Sequence, residues 1–169
     1  MTIEPGWVVG GLVGVGVWLF MRWRSPRPEF PPLSTSPDDP LMVEARTKAK
    51  GSIPEFLGLA SRFKEGALVK LRFVSNSNQV EYLWAELLEV LGPAQLGVRL
   101  LTPPVTHSGQ LDRLYRLDTA DLEDWQVVSD STGKIHGGFT QRAMFAIARR
   151  DGVKLPRKLL KHEEEYKDA

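Results

Sequence analysis

A chain of 169 residues, 42% hydrophobic and 25% charged, has the composition of a globular protein and the length for one domain of ordinary size. A net charge of +1 provides no field to draw it to nucleic acid, so no nucleic-acid partner is expected. The absence of cysteine excludes disulfides, thiol catalysis and cysteine-ligated zinc, and His107, His136 and His162 lack metal spacing, so neither metal nor cofactor is expected.

Pro5 to Met21 is a run of seventeen uncharged residues. That is the lower limit for a helix crossing a hydrocarbon core of about 30 Å. Trp7 and Trp23 would lie roughly 24 Å apart along such a helix, placing both rings near the membrane interfaces. Gly10, Gly11, Gly14 and Gly16 would weaken the helix in water, whereas lipid enforces it because an unpaired backbone group has no partner there. Arg22, Arg24 and Arg27 follow at once, which orients the segment with its N-terminus out and the remainder of the chain in the cytoplasm. Glu4 ahead of the run, and arginines in place of a small-residue cleavage site after it, argue against a cleaved signal peptide. Residues 1–24 therefore read as a single-pass membrane anchor. Gly6, Gly10 and Gly14 share one helix face and mark a possible homodimer contact.

Residues 25–40 hold six of the twelve prolines and read as an extended linker. Asp39 before Pro40 signals a helix start. This first helix stops near Gly51, and Ser52 is expected to cap a second over Ile53 to Phe63, with Phe56, Leu59, Ala60 and Phe63 on its apolar side. The period then changes to two. Ala67, Val69, Leu71 and Phe73 alternate with Lys70 and Arg72 as a half-buried strand. Val80 to Val90 is apolar on both alternating sets and reads as a strand covered on both faces. Gln95 to Leu101 and Leu114 to Leu117 are further strands, Asp118 to Asp124 holds a helical turn, and Trp125 to Val128 resumes the sheet. A turn at Asp130–Gly133 leads to Lys134-Ile135-His136. After Gly137-Gly138, Thr140 is expected to cap a last helix from Gln141 to about Arg150. Residues 153–169 are charged in blocks and read as a mobile, solvated tail, with contact of its basic cluster to anionic lipid as the lesser alternative.

The expected fold is α+β: a membrane helix, two short helices, then a five- or six-stranded antiparallel sheet or small barrel with a C-terminal helix, the folded domain spanning residues 41–152. Pro54-Glu55-Phe56, Gly66 to Phe73, Glu81-Tyr82-Leu83-Trp84, Glu123-Asp124-Trp125 and Gly137-Gly138-Phe139-Thr140-Gln141-Arg142 resemble, in order and spacing, the YegJ-like bacterial domain of unknown function. The resemblance implies a bacterial domain and no particular activity; with the anchor, the expected location is the bacterial inner (cytoplasmic) membrane. Tyr82 stands where that family usually has histidine, and Leu101-Thr102-Pro103-Pro104 replaces its Asn-rich turn.

The candidate binding surface is Tyr82, Trp84, Asp124, Trp125, Gly137, Gly138 and Arg142. Tyr82, Trp84, Trp125 and Phe139 either line an aromatic groove or form core. Gly137-Gly138 either exposes backbone N–H groups to an anion at a helix N-terminus or meets a backbone requirement for positive φ. Arg142 either contacts a partner or closes a salt bridge to Asp124 or Glu123. The leading functional expectation is a protein-binding or scaffolding module. The alternative is a hydrolase-like enzyme using Glu81, Asp124 and His136, and a third possibility is a structural membrane protein acting through its anchor.

Overall fold

The computed structural model describes residues 35–74, 77–92, 94–101, 104, 111 and 113–166. The expected anchor, its Gly6/Gly10/Gly14 face and most of the expected proline-rich linker lie outside these residues. No helix among the described residues is long and apolar enough to cross a membrane.

Two helices open the domain, α1 (Pro40–Gly51) and α2 (Ile53–Arg62). Asp39 caps α1 as its sequence requires: its carboxylate accepts from the Leu41 N–H at 3.0 Å, and Pro40 occupies a first-turn position where no N–H is needed. Ser52 does not cap α2. The two helices follow so closely that Ser52 also ends α1, and its hydroxyl donates back to the Lys48 carbonyl at 2.8 Å. The same oxygen accepts from Trp125 Nε1 at 3.1 Å, so Ser52 ties the helix junction to the sheet.

The sheet contains β1 (Ala67–Val74), β2 (Val80–Gly92), β3 (Gln95–Leu100), β4 (Leu114–Asp118), β5 (Leu122–Val128) and β6 (Ile135–Gly137), in the order β4-β3-β2-β1-β5-β6 with every pairing antiparallel. It is an open sheet, not the closed barrel entertained from the sequence, although it is strongly curled. The curl follows from one connection. Only the three-residue 3₁₀ turn Thr119–Asp121 separates β4 from β5, yet β5 pairs on the far side of β1. In a flat sheet those strands would lie about 19 Å apart, and four Cα steps reach only about 14 Å. The sheet must therefore roll until β4 approaches β1. Phe73 of β1 and Tyr115 of β4 accordingly meet edge to face, with ring centroids 6.5 Å apart.

One face of this curl is the core. Val69, Leu71, Leu83, Ala85, Leu96, Val98, Leu122, Trp125 and Val127 pack there with Ala49, Phe56 and Ala60 of the two helices. Because α1 and α2 cover that face only, β2 is not covered on both sides as its apolar sequence suggested: Val80, Tyr82 and Leu88 remain exposed.

Helix α3 (Phe139–Arg150) lies along α1 through Met42, Ala45, Ala143 and Ile147. The tail corrects the sequence expectation. Residues 153–166 are not a loose extension but dock on the domain through α4 (Arg157–Glu163). Leu159 is buried, Tyr166 packs edge to face on Phe145, and the Ile135 N–H on the outer strand donates to the Glu165 carbonyl at 2.8 Å. Two apolar residues set among charges, and an edge N–H needing an acceptor, outweigh the polarity of the segment. Tyr166→Ala is expected to lower stability by about 3 kcal/mol in urea denaturation of the purified protein. A loss of less than about 1 kcal/mol would mean the tail contributes little.

Candidate functional site

The most constrained polar group of the domain is Asp124. The regular β1–β5 pairing sets Asp124 directly opposite Lys70, on the face away from Trp125, and the register shifts just beyond it, between Lys70 and Leu71. Its side chain is fully buried. Its Oδ1 accepts from the Trp125 N–H at 2.8 Å and the Phe139 N–H at 3.1 Å. Its Oδ2 accepts from the Thr140 N–H at 2.7 Å and the Thr140 hydroxyl at 2.6 Å. Lys70 Nζ donates in turn to Thr140 Oγ1 at 3.1 Å, and lies 5.9 Å and 5.8 Å from the ring centres of Tyr82 and Trp84. Burial pushes the Asp124 carboxyl above the usual carboxylate range, against the pull of the Thr140 donors and the Lys70 charge. Burial likewise lowers the Lys70 ammonium, against the attraction of Asp124 and Glu123.

This junction decides several of the candidates. The N-terminus of α3 is not an open anion site, because the protein's own carboxylate takes its first N–H groups. Nor does Thr140 cap the helix from within; it sits in the first turn and spends its hydroxyl on Asp124. The two glycines meet the backbone requirement. Gly137 and Gly138 have φ of +74° and +64°, and a Cβ at Gly137 would fall 2.6 Å from the Trp125 ring, while one at Gly138 would strike Tyr166. The Gly138 N–H closes the turn on the Trp125 carbonyl at 2.7 Å.

The four aromatics do not line one groove. Trp125 is fully buried on the helix-covered face, against Phe56 at 5.4 Å and Phe139 at 5.6 Å. Tyr82 and Trp84 occupy the opposite face with Lys70 and Arg72, as their cross-strand partners show. Arg142 does not bridge to Asp124 or Glu123. Glu123 pairs with Arg46 at 3.8 Å, and Arg142 forms no ion pair among the described residues.

Glu81, Asp124 and His136 do not form a site. Glu81 is opposite Phe73 near one end of β1, whereas His136 is opposite Val127, itself opposite Ala67 at the other end. Six strand residues separate those levels, about 20 Å. Among the described residues no group of three His, Asp or Glu side chains is placed to hold a metal ion. Sequence reasoning missed Lys70 as the partner of Asp124. Its one signal was a lysine which, like Arg72 on the same strand, alternates with apolar residues, and alternation alone assigns both to solvent.

These features define an α+β domain of helices on one face of a curled antiparallel sheet, pinned by a junction in which buried Asp124 and Thr140 meet half-buried Lys70. The chain matches, over residues 39–151, the model of a family described as an uncharacterized protein conserved in bacteria (DUF2314), and it belongs to that family. No curated protein and no solved structure matches it.

Proposed function

We propose that the chain is a single-pass protein of the bacterial inner membrane, anchored by residues 1–24 with its N-terminus out, whose YegJ-like domain acts in the cytoplasm as a protein-binding module. The observation that carries the binding role is the sheet face the helices leave uncovered. Val74, Val80 and Tyr82 are 46%, 43% and 36% exposed, and they adjoin Trp84 on adjacent strands. Apolar and aromatic side chains gathered at an open surface are the usual anchors of a protein interface. Arg142, free of any ion pair among the described residues, is a second contact candidate. Support for the anchor is the uncharged run to Met21 and the arginines that follow it. Self-association through Gly6, Gly10 and Gly14 belongs to the same proposal.

Crosslinking in native membranes tests the whole of it. Trp84→Ala is expected to cut capture of the partner roughly thirtyfold, as loss of a central tryptophan does, and Arg142→Ala to cut it less. Gly10→Leu should remove crosslinked dimer. Capture unchanged in Trp84→Ala rejects the binding face, and extraction of the chain by alkaline carbonate rejects the anchor.

A further inference from the structure

The curl of the sheet leaves a cavity of about 420 Å³ at the seam where β4 approaches β1 without pairing to it. That volume lies within the range of small-molecule sites. Its apolar wall includes Phe73 and Tyr115, whose rings meet edge to face. Lys50 from the last turn of α1, Arg72 from β1 and Arg116 from β4 also line it, and none of the three has an ion-pair partner among the described residues. Of the two carboxylates present, Glu123 is engaged by Arg46, which leaves Asp121 alone against three cations. Lys70 and Asp124 are not among the lining residues.

We infer that this seam binds a small organic anion with an aromatic body, its charged group held by Arg72, Arg116 and Lys50 and its ring against Phe73 and Tyr115. The charge balance selects the anion. Guanidinium groups favour carboxylate or phosphate oxygens because two parallel N–H donors match them. The ring wall selects the body, since an aromatic ligand gains edge or offset contacts that a bare ion cannot make. Arg72 also belongs to the uncovered sheet face, but the inference does not depend on the partner proposed there.

Phenyl phosphate is the probe, titrated into the full-length protein with amide shifts followed by NMR, alongside inorganic phosphate and phenol. Saturable shifts at Phe73, Tyr115 and Ala120 are expected, with a dissociation constant below about 1 mM. Binding should be about tenfold tighter than for inorganic phosphate or phenol, and about tenfold weaker in Arg116→Ala and in Arg72→Ala. Both arginines are exposed, so the variants should keep the wild-type spectrum elsewhere. Lys50→Gln gives a third reading, with a smaller loss. Shifts that do not saturate, that map away from the seam or that survive in both arginine variants would overturn the inference. Equal binding of inorganic phosphate would overturn it too, reducing the seam to a surface contact for any anion.

Discussion

Asp124→Ala is expected to lower the stability of the protein by about 4 kcal/mol, measured by urea or thermal unfolding. The side chain is fully buried and accepts four hydrogen bonds, from three backbone N–H groups and one hydroxyl. Removing it strands those donors out of water, at about 1–3 kcal/mol for each one left unsatisfied. It also removes the carboxylate that acts most strongly on half-buried Lys70. These costs overlap and do not simply add, because the cavity can admit water. Asp124→Asn should lose about half as much, since the amide oxygen still accepts at one position while its NH₂ faces donors at the other. Thr140→Val, which removes only the hydroxyl between Lys70 and Asp124, is expected to cost about 1–2 kcal/mol. If Asp124→Ala instead unfolds within 1 kcal/mol of wild type, the carboxylate does not hold β5 to α3.

Trp125→Ala is expected to cost about 4 kcal/mol, and Trp125→Phe about 2 kcal/mol, in the same measurement. The alanine variant loses the contacts with Phe56 and Phe139 and opens a cavity beneath both N-terminal helices. The phenylalanine variant keeps most of the packing. It loses the indole N–H that reaches the Ala49 carbonyl at 3.2 Å and the Ser52 hydroxyl at 3.1 Å. The difference between the two variants isolates packing from the hydrogen bonds. Trp125→Phe matching wild type would mean that the helix junction is held by apolar contact alone.

What the sequence disclosed was local. The Asp39-Pro40 start of α1, the alternation along β1 and the glycine pair before α3 each depend on neighbours a few residues away, and each is present in the structure. What it withheld was set by distance along the chain. Lys70 and Thr140 are 70 positions apart, so nothing beside either residue announces their bond or the carboxylate they share. Thr140 looked like a helix cap because a threonine before a helical stretch usually is one. The true acceptor arrives from another strand. The same limit applies to β2: its composition records apolarity on both faces, but not that the helices would cover one. The tail misled for the converse reason, since Leu159 and Tyr166 are few among many charges and their burial depends on a strand edge formed elsewhere.

The three-residue step between β4 and β5 also bears on synthesis. As the chain leaves the ribosome, β1 to β4 can assemble as successive hairpins, each needing only its neighbour. The other flank of β1 stays bare until some sixty further residues bring Val127 opposite Ala67. During that interval a row of unsatisfied amides and carbonyls is offered to any passing strand, including that of another nascent copy. Messages cut short ahead of Leu122 would leave that flank bare for good, so early termination in this gene should yield aggregates rather than soluble fragments.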